Sequence, residues 1–301
     1  MQRQHPHAQR LIIQLRRIDL GNLFYSRHQI IENCGHTPTV RNGCHTDRRS
    51  TRDFATVDPW DERIAAGYDA TSPEMFATEV LGPTVDFLAA FAGDRPALEF
   101  AVGTGRVALP LSARGVEVRG IELSEPMAAQ LRAKPGADRV PVTIGDMSTV
   151  EEASLGHGHF GLVYLVYNTI SNLLTQQGQV DCFRNAAAHL TPGGHFVIEV
   201  FVPALRRLPP GERFVPYDVS PGHVGVDEYD VVNQRLVSHH WWRDGPLVGT
   251  VDSSHRYAWP AEYDLMAQLA GLDLVERWAD WHRREFTAES ASHVSVWRKP
   301  G

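Results

Sequence analysis

An apolar run that breaks into a glycine turn constrains this chain more than anything else in it. Ala97-Leu-Glu-Phe-Ala-Val-Gly-Thr-Gly-Arg-Val-Ala-Leu-Pro-Leu111 reads as a buried strand, a turn and an amphipathic helix. Val116-Glu-Val-Arg-Gly-Ile-Glu-Leu-Ser-Glu125 then reads as a second strand ending on an acid. Gly103 and Gly105 let the backbone turn sharply with no Cβ in the way. The helix starting there offers free N–H groups and a positive dipole end to whatever binds in front of it. Glu122, about twenty residues on, stands where a parallel second strand holds a carboxylate against ribose hydroxyls. Together these features point to an adenosine-containing cofactor.

The dinucleotide fingerprint asks for a third small residue, and Ala108 satisfies its relaxed form, so spacing leaves a nicotinamide enzyme open. Glu99, inside the first strand, argues the other way. A carboxylate there repels a pyrophosphate and suits a sulfonium cofactor with an amino-acid tail. The segment resembles the first motif of class I S-adenosylmethionine-dependent methyltransferases, E/D-x-G-x-G-x-G, with Glu99, Gly103 and Gly105 in the matching positions and Ala101 replacing the first glycine. Ala101 is expected to tighten the contact without abolishing the site.

The resemblance continues in order and spacing from about residue 57 to 298. Gly120-Ile-Glu-Leu-Ser-Glu-Pro-Met127 is similar to the second motif, which implies Glu122 on the ribose with Leu123 beside it. Gly145-Asp-Met147 resembles the motif after the third strand, which implies Asp146 on the adenine amino group and Met147 along the ring. Phe160–Thr169 and Leu190–Glu199 resemble the fourth and fifth strands. Tyr68, in Gly67-Tyr-Asp69, resembles the aromatic that closes over the cofactor in many relatives, with a core aromatic as the competing reading. Arg106 and Tyr167 join the expected cofactor contacts.

Short apolar strands alternating with amphipathic helices imply an α/β, doubly wound, Rossmann-like sheet. Strands are expected at about 97–102, 116–122, 140–145, 159–166 and 194–202, and helices at 61–68, 73–91, 105–114, 125–134 and 177–190. After the fifth strand the character changes. Val224–Trp242 and Val248–Trp259 read as an antiparallel lid hairpin around Asp244-Gly-Pro246, and Pro260–Ala270 as a helix closed by Gly271. Leu272–Trp281 and His293–Arg298 read as two last strands. The resemblance implies seven strands, mostly parallel, with the last antiparallel and the lid over the substrate side.

Composition sets limits on partners. The chain has 301 residues, 43% hydrophobic and 22% charged, as expected of one catalytic domain with an elaboration. Nine arginines against four acids give residues 1–56 a balance of +5, so of the total of -7, residues 57–301 carry -12. Residues 1–56 are expected to be a poorly ordered basic extension, with a basic arm or a targeting leader as the competing reading. The acidic body disfavours nucleic acid, and no apolar run reaches the length of a membrane span. Cys34 and Cys44, near His36 and His45, match no familiar zinc spacing, so no metal is expected. A reducing cytoplasm is the expected setting.

Methyl transfer from a sulfonium is an in-line displacement dominated by positioning, so catalytic residues leave a weak trace in sequence. Asn168, after the fourth strand, either meets the substrate or cofactor or caps the following turn. Asn168-Thr169-Ile170 lacks the Asn/Asp-Pro-Pro-aromatic signature of base-amine methyltransferases. His239 and His240 lie on the lid strand. Side chains alternate, so only one of them faces a substrate as a base. Glu199 either binds a substrate amine or pairs with Arg206, and Arg256 is a candidate for a substrate carboxylate. The leading reading is methyl transfer to N or O of a small molecule. A nicotinamide oxidoreductase on a similar sheet and a non-catalytic cofactor-binding protein are the alternatives.

Overall fold

A computed structural model describes residues 62–71, 73–150, 159–244 and 247–301. The expected basic extension at 1–56 and the cysteine–histidine cluster within it lie outside the described residues. Eleven strands and six α-helices follow: α1 Glu62–Thr71, α2 Thr78–Ala92, β1 Ala97–Phe100, α3 Ala108–Ala113, β2 Val118–Glu122, α4 Glu125–Arg132, β3 Val142–Ile144, β4 Phe160–Leu165, α5 Gln176–His189 and β5 Leu190–Phe201. The chain continues through β6 Phe214–Val219, β7 His223–Asp230, β8 Arg235–Asp244, β9 Leu247–Arg256, α6 Pro260–Leu269, β10 Asp273–Trp278 and β11 Ser292–Arg298.

Seven strands form one sheet in the order β10-β11-β5-β4-β1-β2-β3. The run from β3 to β5 is parallel, and β11 alone runs against its neighbours. Every residue of β1 and β4 is buried, as expected for central parallel strands covered on both faces. Period-2 alternation divides them between two layers. Leu98, Phe100, Val163 and Leu165 pack with Phe183 and Trp297 on one face, while Ala97, Leu162 and Tyr164 pack with Val85, Leu88 and Leu111 on the other.

Local chemistry sets the helix starts. Ser124 caps α4 by accepting from Met127 N at 3.3 Å, and Thr175 caps α5 by accepting from Gly178 N at 3.0 Å. The helix expected over 105–114 begins only at Ala108. The preceding residues form the glycine loop, with Ala101, Gly103 and Gly105 all at positive φ. The helix expected over 73–91 is a 3₁₀ turn at Pro73–Phe76 followed by α2.

The lid is larger than the expected hairpin at 224–259. It is a four-stranded antiparallel meander, β6-β7-β8-β9. The stretch read as one strand from Val224 to Trp242 is broken by a turn in which Asp230 accepts from Val232 N and Asn233 N at 3.0 and 3.1 Å. Val231 and Val232 look like strand residues but are exposed at the tip. The first strand of the meander escaped the sequence reading because Pro216 interrupts its alternation. At the far end Asp244 pairs with Leu247, and the turn residues Gly245 and Pro246 lie outside the described residues.

Candidate active site

The loops after β1, β2, β3 and β4 share the carboxyl edge of the sheet, where α/β proteins bind ligands. The glycine loop is tied to the end of β2 through Glu122. One carboxylate oxygen accepts Gly103 N at 2.8 Å and the other accepts Ser124 N at 2.9 Å. Gly120 makes this possible, because a Cβ there would meet Val102 Cγ1 at 2.6 Å. Leu123, directly after the acid, is 64% exposed at the edge and offers an apolar surface to a purine. These groups fit the adenosine half of S-adenosylmethionine.

Glu99 lies beneath the loop. It is 2% exposed and accepts the Tyr164 hydroxyl at 2.9 Å, as their paired positions on β1 and β4 allow. Burial pushes its carboxyl up to about 8, against the opposing pull of the Tyr164 bond and Arg106. Asp146 Oδ1 accepts both Ser148 N and Ser148 Oγ at 2.7 Å. Met147 is a core residue, and its carbonyl accepts Asn185 Nδ2 at 2.9 Å.

α1 is clasped onto the glycine loop. Asp69 accepts the Thr104 hydroxyl at 2.7 Å and pairs with Lys134, which also donates to the Thr104 carbonyl at 2.7 Å. This clasp brings Tyr68 within electrostatic reach of Arg106, Tyr167 and Glu122. Arg106 stands 5.5 Å from the centre of the Tyr167 ring and acts electrostatically on Glu99 and Glu199 as well. Tyr68, Glu99, Arg106, Glu122, Tyr167 and Glu199 therefore form one constellation drawn from α1, β1, β2, β5 and the loops after β1 and β4.

Tyr167 and Asn168 are consecutive non-glycine residues at φ 53° and 63°. That conformation costs roughly 1–2 kcal/mol per residue and must be held by its surroundings. Glu199 accepts Tyr167 N at 2.9 Å and Trp281 Nε1 at 2.7 Å. Asn168 N donates to the Glu199 carbonyl at 3.0 Å, and Asn168 Oδ1 accepts Phe201 N at 2.8 Å. Asn168 thus ties β4 to β5. The alternative pairing of Glu199 with Arg206 does not form: Arg206 binds Ala288 and Glu289. Burial raises the Glu199 carboxyl. Trp281 lies in a segment with no motif, and nothing in the sequence pointed to it.

The lid packs its inner face on the body. Val215, Tyr229, Leu236 and Tyr257 cluster with Phe201, Ala204 and Leu205, just past the end of β5. Alternation from Leu236 puts Ser238, His240 and Trp242 on this inner face and His239 on the outer one. His239 lies between Asp252 at 2.9 Å and Glu228 at 3.2 Å. Of the two candidate bases, only His240 faces the body. Arg256 is not a free anion site either. It is buried and donates to Gln179, Gln234 and Glu262, bracing the lid against α5 and α6.

A family profile described as "Methyltransferase domain" matches residues 97–194. The CcbJ methyltransferase of Streptomyces caelestis is 41% identical, with 73% of this chain and 89% of that one covered and a TM-score of 0.66. The chain belongs to the S-adenosylmethionine-dependent methyltransferases. Two further relatives extend the comparison. The cypemycin N-terminal methyltransferase of a Streptomyces species is 24% identical over 76% of this chain and 96% of that protein. The sugar N-methyltransferase KedS8 of Streptoalloteichus shares the fold at 21% identity, with 89% and 100% covered and a TM-score of 0.53. The nicotinamide alternative is not favoured. The methyltransferase uses S-adenosylmethionine, which supplies an electrophilic methyl group. Among the described residues no helix is long and apolar enough to cross a membrane.

Proposed function

We propose that this methyltransferase transfers the methyl group to a nitrogen of a small amine. The supporting observation is the inner face of the lid. There Tyr217, His223, His240 and Trp242 lie ring against ring, with centroids 5.1–6.4 Å apart. Asp227 stands beside them, bonded to Ser238 at 2.8 Å. Aromatic faces next to a carboxylate attract an ammonium group, the form in which an aliphatic amine arrives from water. KedS8 is described as a sugar N-methyltransferase, and the cypemycin enzyme as an N-terminal methyltransferase.

In this reading Glu122 holds the ribose hydroxyls, Leu123 lies against the adenine, and Asp146 accepts from its amino group. The Met147 amide belongs to the same edge. Gly103, Gly105 and the left-handed Ala101 shape the loop over Glu99, while Arg106 and Tyr68 meet the amino-acid tail. Tyr167, held by Glu199 and Asn168, walls the methyl position. Incubating the protein and S-adenosylmethionine with glucosamine, proline methyl ester, a glycine-initiated peptide and their hydroxyl counterparts tests this. Release of S-adenosylhomocysteine with a methyl gain on an amine is the expected result. Methylation confined to the hydroxyl compounds would overturn it.

A further inference from the structure

We propose that Tyr217, His240, His223 and Asp218 form a proton relay that takes the proton of the methyl acceptor from the cleft and delivers it to solvent. The proposal rests on the amine reading above for the identity of the acceptor. Its geometry is a continuous chain. Tyr217 Oη lies 2.9 and 3.1 Å from the two ring nitrogens of His240. His240 Nδ1 lies 3.1 Å from His223 Nε2, and His223 Nδ1 lies 2.5 Å from Asp218 Oδ2.

One assignment of protons carries the chain through, using the 3.1 Å contact of Tyr217 Oη with His240 Nε2 and not its 2.9 Å contact with Nδ1. Tyr217 donates to His240 Nε2, His240 Nδ1–H donates to His223 Nε2, and His223 Nδ1–H donates to Asp218. Both ends of the chain are partly exposed, Tyr217 at 43%. Tyr217 lies across Gly225 on the inner face of the lid, where a Cβ would meet its ring at 2.3 Å. At the other end the Asp218 side chain is 42% exposed. As proposed, the relay leads from the inner face of the lid to a carboxylate in contact with water.

Its chemistry balances. An acceptor ammonium gives its proton to Tyr217 oxygen as the Tyr217 proton passes to His240 Nε2. The His240 Nδ1 proton moves to His223, whose own Nδ1 proton leaves through Asp218 to water. The freed nitrogen lone pair then bonds to the methyl carbon, and sulfur keeps the electron pair of the broken C–S bond. His240 is suited to passing a proton on. Burial and the neighbouring His223 lower its affinity for one. Asp227 from β7 and His255 from β9 share its face, and His239 and Asp252 act on it electrostatically from the other.

Two measurements on the full chain test the relay. The first is histidine ¹⁵N NMR with S-adenosylhomocysteine bound. His240 and His223 are both expected as Nδ1–H tautomers, against the Nε2–H form that free histidine prefers, and Tyr217→Phe is expected to release His240 from that choice. The second is methyl transfer to whichever of glucosamine, proline methyl ester or the glycine-initiated peptide reacts fastest. Tyr217→Phe should lower kcat about 100-fold at pH 7. The loss should shrink towards pH 9, where the amine arrives already deprotonated, and KM for S-adenosylmethionine should stay within about twofold. His239→Gln, on the opposite lid face, should leave the rate unchanged. Two Nε2–H rings, or a Tyr217→Phe enzyme as fast as wild type at pH 7, would overturn the relay. If only hydroxyl compounds are methylated, the amine reading fails and the tautomers alone decide the relay.

Discussion

Glu199 accepts the backbone N–H of Tyr167 at 2.9 Å, and this bond holds a strained tyrosine at the reaction edge. The second carboxylate oxygen is engaged by Trp281, so Glu199 anchors the end of β4 to a segment 82 residues beyond itself. Glutamine at 199 can accept only through its single carbonyl oxygen, leaving one of the two donors unpaired. Glu199→Gln should cost about 1–3 kcal/mol, the cost of an unsatisfied buried donor. Urea melts of the variant beside Trp281→Phe check this. Both should also raise KM for S-adenosylmethionine, because Tyr167 loses its fixed position.

Glu122 offers a sharper test of the cofactor site. Its carboxylate joins Gly103 to Ser124, and in the proposed reading it also accepts from the ribose hydroxyls. Hydrogen bonds to a charged group are worth about 1.5–3 kcal/mol. Glu122→Gln should therefore weaken S-adenosylhomocysteine about 10- to 100-fold in calorimetry, with a smaller loss of thermal stability.

Ala101 carries the one departure from glycine inside the motif, at φ 51°. A left-handed alanine costs about 1–2 kcal/mol, while glycine forfeits roughly 0.5–1 kcal/mol of chain entropy. Ala101→Gly should stabilise the protein by about 0.5–1 kcal/mol in denaturant melts and leave the affinity for S-adenosylhomocysteine unchanged.

Glu99 predicts a pH dependence. Its folded pKa, about 8, lies above the unfolded value near 4.3, so the folded protein binds this proton more tightly. The contribution to stability is fully present below about pH 4.3 and is lost as pH rises towards about 8. Glu99→Gln keeps an acceptor for Tyr164 and carries no proton to lose. In melts from pH 5 to 8.5 the variant should gain on wild type as pH rises, by a few kcal/mol in all.

Local pattern was enough to reveal the parallel sheet, the glycine loop and the acid at the end of β2. Strand and helix periods are written in neighbouring residues, and positive φ calls for glycine at Gly103 and Gly105 within the same short segment. Alternation likewise dictated that His239 and His240 face opposite sides. Which of them faces the body was decided by the packing of Leu236 against Phe201, a contact between residues far apart in sequence. The partners of Glu199 and Arg256 were decided in the same way. Trp281 displaced Arg206 as the partner of Glu199, and Gln179 and Glu262 occupied Arg256 before any substrate could. Hydrogen-bond partners drawn from distant strands depend on sheet order and the docking of the lid, which no local window contains.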